Sequence, residues 1–209
     1  MHSARRRILL RAATAWLAAR PCLAVADAPA RAPAGTIRTG PPRELWITRP
    51  QAQESVRAVY WADGAVQPEG YRIINHLYRD LHAGVARPIA IGLLDLNHAM
   101  QAVLGHRGRA RPLILLSGFR TPDTNRLVGG VDPSAHESGE ADDFIFEGLS
   151  LEENFRLARS CQVGGLGVYP DRGSLHKDLG ALRTWVQFGP AVPGPIRINP
   201  ERHLIGRSS

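Results

Sequence analysis

The stretch Ser134-Ala135-His136-Glu137-Ser138-Gly139-Glu140-Ala141-Asp142-Asp143-Phe144-Ile145-Phe146 decides how this chain is read. From Ala141 to Phe146 the residues alternate with the period of a strand. Ala141, Asp143 and Ile145 then share one face, and Asp142, Phe144 and Phe146 share the other. His136 stands seven positions before Asp143, and Gly139 between them lets the chain turn back without steric penalty. Downstream, Ser174-Leu175-His176-Lys177-Asp178 reads as a second short strand, with His176 and Asp178 on one side and Lys177 pointing away. Two neutral imidazoles and a carboxylate form a three-ligand set for Zn²⁺. A set of three leaves the fourth position to water, as in catalytic rather than structural zinc sites.

Outward from this stretch the elements alternate between strand and helix. Leu113-Ile114-Leu115-Leu116 is an apolar run consistent with a buried strand feeding the loop that carries Arg120. Glu44 to Thr48 and Ser55 to Trp61 alternate as strands, and Asp63-Gly64 supplies a turn. Helical spacing runs from Gly70 to His82 and from Ile91 to Leu104. A further helix opens after Ser150, with Glu153 three positions on completing a capping box, and runs to about Cys161. No internal repeat is present.

Composition bounds the setting. A chain of 209 residues is one domain with appendages. Residues 1–26 hold five arginines and no acid, so without them the formal charge drops from +7 to +2. No basic stripe with interleaved aromatics remains, which argues against a nucleic-acid partner. Ala4-Arg5-Arg6-Arg7-Ile8-Leu9-Leu10 resembles a twin-arginine export signal. Ala24-Val25-Ala26 supplies a cleavage site after Ala26. The apolar stretch between them is too short and too interrupted to span a membrane. The expected layout is a signal peptide (1–26), a Pro/Ala/Gly spacer (27–42), one catalytic domain (43–188) and a Pro-rich tail (189–209). Cys161 would be the single cysteine of the mature chain, so no intrachain disulfide is expected.

The run from Ser134 to Asp143 matches the pattern Ser-x-His-x-x-Gly-x-Ala-x-Asp. Ser117-Gly118-Phe119-Arg120-Thr121-Pro122 precedes it, and Gly164 to Pro170, His176-x-Asp178-x-Gly180 and Arg183-x-Trp185 follow. Together these blocks resemble the M15-type zinc peptidases, in particular their exported murein endopeptidase K (YcbK-type) branch, over roughly residues 43 to 188. The resemblance implies an α+β fold, a small antiparallel sheet with helices packed on it in an M15/hedgehog-type core. It further implies a periplasmic monomer that hydrolyses the peptide stems of peptidoglycan with Zn²⁺ held by His136, Asp143 and His176. Two positions depart from the pattern. Several M15 enzymes place an acid or histidine two or three residues before the last ligand, where this chain has Ser174 and Gly173. Lys177 stands where relatives carry an apolar residue.

The expected enzyme is therefore a monomeric periplasmic hydrolase of peptidoglycan crosslinks, with the catalytic base left open by the motif itself. Asp178, two positions from His176, is placed to orient that ring or to carry a proton. Glu140 is the second candidate because it lies in the ligand loop. Arg120 is read either as pairing with a loop acid such as Asp123 or as gripping a substrate carboxylate beside the metal. Glu137 and Asp142 are read as solvated charges, and the remaining histidines lack a carboxylate at ligand spacing. Two alternatives stay open: a D-Ala-D-Ala-type carboxypeptidase or dipeptidase, and a non-catalytic zinc-binding cell-wall module.

Overall fold

The computed structural model describes residues 40–162 and 164–189. The expected signal peptide, nearly all of the spacer and nearly all of the tail lie outside the described residues. The elements run β1 (Arg43–Arg49), β2 (Glu54–Ala62), β3 (Ala65–Val66), α1 (Pro68–Leu77), α2 (Ile91–His106), β4 (Leu113–Ser117) and α3 (Pro122–Leu127). They continue with α4 (Ala135–Ser138), β5 (Ala141–Phe146), α5 (Leu151–Ser160), β6 (Gly165–Tyr169), β7 (Ser174–Asp178) and β8 (Arg183–Val186).

All eight strands form one sheet in the order β3-β2-β1-β4-β5-β7-β6-β8. The expected small antiparallel sheet is thus corrected to a mixed one, because β1 pairs β4 in parallel and β6 pairs β8 in parallel. Both parallel pairs join strands that are not consecutive in the chain, as parallel pairing demands a crossover rather than a hairpin. The α+β class stands.

The alternation of the strands sorts the two faces of the sheet. Ile47, Leu113, Leu115, Phe144, Phe146 and Leu175 are fully buried and meet across the register pairs Ile47–Leu113, Leu115–Phe144 and Phe144–Leu175. Helix α2 adds Leu93, Leu94, Met100 and Leu104 to the same core. The Ser150–Glu153 capping box forms as expected and opens α5.

The opposite face carries the polar site. Its construction depends on an irregularity in β4. Leu115 pairs Phe144, but the next residue of β5, Asp143, pairs Ser117, so Leu116 is skipped. This bulge re-aims the end of β4 and brings Ser117 onto the face of Asp143. The loop that follows is tied down by Asp80, which is buried. Its Oδ2 accepts from the Thr121 backbone N–H at 2.8 Å and the Thr121 hydroxyl at 2.9 Å, while Oδ1 accepts from the N–H groups of His82 and Ala83. Burial would raise the Asp80 pKa, but these hydrogen bonds outweigh it and bring it down to about 2.

Candidate metal centre

Helix α4 is one turn long and exists to place His136. The Ser134 hydroxyl accepts from the His136 N–H at its start, and Gly139 ends it at φ +74°. A Cβ at position 139 would stand 2.8 Å from the Pro88 carbonyl oxygen, so glycine is required there on both counts. Strands β5 and β7 then set Asp143 directly opposite His176.

Hydrogen bonds fix which ring nitrogens face inward. His136 Nδ1 lies 2.8 Å from the Gly118 carbonyl oxygen. A carbonyl only accepts, so Nδ1 carries the proton and Nε2 offers its lone pair to the site. His176 Nε2 lies 3.1 Å from Asp178 Oδ2, and the same logic leaves Nδ1 as the inward nitrogen. The three inward atoms are His136 Nε2, His176 Nδ1 and Asp143 Oδ1. They are separated by 3.2, 3.0 and 3.4 Å. Tetrahedral zinc with ligand bonds of about 2.0–2.2 Å requires ligand separations of roughly 3.3–3.6 Å, so the donor set fits the ion with small adjustments. Among the described residues this is the one cluster of its kind.

The electrostatics suit a cation. Burial would raise the Asp143 carboxyl, yet His136 and Arg120 beside it hold it well below the usual carboxylate range. Burial pushes His136 down, keeping it neutral. Burial also acts downward on His176, but hydrogen bonds to Asp143 and Asp178 overcome it and lift that ring to about 9. Without a metal, His176 therefore holds a proton at neutral pH, and a metal ion bound there would displace it. The apparent zinc affinity should accordingly fall about tenfold for each pH unit lowered from 8 to 6. Competition titration against a chromophoric chelator measures this directly; a pH-independent affinity would contradict it.

The other expected site residues divide. Asp178 stands behind His176, on the side of the ring away from the inward Nδ1. Oδ1 accepts from the Gly165 and Gly180 N–H groups, and Oδ2 takes the His176 and Arg183 contacts. Arg120 does not pair with Asp123, which Arg126 holds instead. Its Nη2 donates to Asp143 Oδ2, and its Nε donates to the Ser117 hydroxyl at 2.8 Å. Glu140 is exposed, and its carboxylate accepts from the Ser138 hydroxyl at 2.9 Å.

Asp142 requires a correction. It is not a solvated charge: both it and Lys177 are fully buried and form an ion pair. Tyr78 and Asn97 complete its shell with hydrogen bonds of 2.9 and 3.0 Å to Oδ2. The sequence reading missed this pair because each charge was assigned without a partner 35 residues away. Alternation did place both side chains off the metal face.

A family model described as peptidoglycan L,D-endopeptidase MepK matches residues 37–185. The peptidoglycan L,D-endopeptidase MepK of Escherichia coli strain K12 is 34% identical over 155 residues, covering 72% of this chain and 84% of the relative. The Shigella flexneri protein of the same name matches to the same extent. A probable peptidoglycan L,D-endopeptidase MepK from Haemophilus influenzae is 26% identical over 154 residues, covering 71% and 82%.

Proposed function

Because the chain belongs to the peptidoglycan L,D-endopeptidase MepK family, we propose that it is a zinc-dependent hydrolase of peptide crosslinks in peptidoglycan. The convergence of His136 Nε2, Asp143 Oδ1 and His176 Nδ1 carries the zinc part of this reading. Action on peptidoglycan calls for export, which fits the twin-arginine-like segment ahead of Ala26 and a periplasmic site of action. The layout of signal peptide, spacer, catalytic domain 43–188 and tail belongs to the same proposal, as does a monomeric enzyme.

His136, Asp143 and His176 would hold the ion. Zinc there would supply a Lewis acid that polarises the scissile carbonyl and makes water a nucleophile near neutral pH. Asp178 fixes the His176 tautomer and ring angle from behind, and Arg183 holds Asp178 in turn. Arg120 occupies the second oxygen of Asp143, which leaves Oδ1 to face the two imidazoles. In this arrangement Asp178 is a positioning group rather than a proton carrier. Asp178→Asn should cost about 10–100-fold in zinc affinity, with a matching loss of activity that excess zinc restores. A loss that persists at full zinc occupancy, with one limb of the pH–rate profile removed, would assign it the proton-transfer role instead.

Incubating the purified protein with crosslinked muropeptides, with and without a chelator, tests the proposal. Chelator-sensitive conversion of dimers to monomers supports an endopeptidase. Trimming of monomer stems alone would favour a carboxypeptidase, and no product would leave a binding module.

A further inference from the structure

Amide hydrolysis places negative charge on the scissile carbonyl oxygen, and a fixed donor aimed at that charge is a large part of catalysis. Most polar groups on the metal face are already engaged. Arg120 is bonded to Asp143 and Ser117, and Asp178 is enclosed by backbone N–H groups, His176 and Arg183. Ser174 is buried.

Tyr169 is different. In the β6–β7 register Gly167 pairs His176 and Tyr169 pairs Ser174. Directly paired residues share a face, so Tyr169 sits on the metal face one rung beyond His176, about 7 Å along the strand. It is half-buried, and both Asp143 and Arg120 act on its hydroxyl electrostatically. Trp185 pairs Gly167 from β8, and its ring lies 5.5 Å from that of His176. A Cβ at Gly167 would stand 2.5 Å from the Trp185 ring, so glycine is what admits the indole there. The Trp185 indole acts on the Tyr169 hydroxyl to lower its pKa. An indole N–H only donates. The phenol therefore cannot donate to Trp185, and its hydrogen remains for another acceptor. Arg172 lies over the phenol ring at 5.3 Å and holds it in place.

We propose that the Tyr169 hydroxyl donates a hydrogen bond to the scissile carbonyl oxygen of the substrate, an inference that rests on the peptidase reading above. Water adds through its oxygen to the carbonyl carbon, the C–N bond breaks, and both water protons end on the departing amine. The products are a carboxylate and an ammonium ion. Tyr169 keeps its proton throughout. A phenol ionises only near pH 10, about three units above neutrality, so the hydroxyl remains a donor at neutral pH.

The test uses the zinc-loaded full chain with Tyr169→Phe. The expected result is a kcat on crosslinked muropeptides lowered about 10²–10³-fold, with KM nearly unchanged and one zinc per chain. Binding of a phosphinate isostere of the scissile bond, measured by calorimetry, should weaken by a comparable factor, while affinity for the cleaved product stays the same. Trp185→Phe should give a smaller loss of kcat in the same direction. A kcat within threefold of the parent overturns the proposal, and so does loss of zinc or of the thermal transition in Tyr169→Phe, which would make the residue structural. An inactive parent that binds zinc would overturn the peptidase reading itself, whatever the variants do.

Discussion

Replacing His176 by alanine will remove zinc from the protein and lower kcat/KM on crosslinked stems by at least about 10³-fold. The metal's stabilisation of developing charge amounts to several kcal/mol, and each 1.36 kcal/mol is about tenfold in rate. Only two inward ligands, His136 and Asp143, would remain, and Asp143 would lose the 3.0 Å neighbour that faces it across β5 and β7. The fold should survive, since the core lies on the other side of the sheet. Elemental analysis of untagged protein, paired with a melting curve, separates the two effects. Full zinc occupancy in His176→Ala would remove this residue from the ligand set.

The second large effect is on stability. Lys177→Met leaves Asp142 as a charge in the core with only Tyr78 and Asn97 for partners. Breaking a buried pair from one side costs about 3–5 kcal/mol. Part of that loss should return in Asp142→Asn/Lys177→Met, where no buried charge is stranded. Lys177 also gives up its position 3.6 Å from the Phe144 ring centre, which adds to the cost in both variants. Urea unfolding of the parent, the single variant and the double variant measures the pattern. A single variant within 0.5 kcal/mol of the parent, by the usual standard for a neutral surface change, would mean that the pair contributes little.

Much of the site was legible because its determinants are local. His136 and Asp143 are joined by one turn and one strand, so spacing, Gly139 and alternation suffice to aim them together. Asp178 is two residues from His176, and strand geometry alone puts both on one face. The Ser150–Glu153 cap is similarly short-range. What stayed hidden is non-local. Nothing in the alternation of β1 or β6 says that each has a parallel neighbour, since that depends on crossovers. Arg120 reaches Asp143 across 23 residues, and the bulge at Leu116 that brings Ser117 beside it leaves no mark on an apolar run. Asp142 was misread because a lone acid in a strand looks solvated until its lysine is found.

The two rungs of the β5–β7 ladder, Asp142–Lys177 and Asp143–His176, are adjacent and face opposite ways. A slip of one residue would exchange their sides, moving a lysine into the ligand cluster and a histidine into the apolar core. The ion pair behind the sheet thus proofreads the alignment of the ligands in front of it. A variant that removes the ion pair should therefore loosen the alignment of His176 with Asp143 although neither ligand is touched.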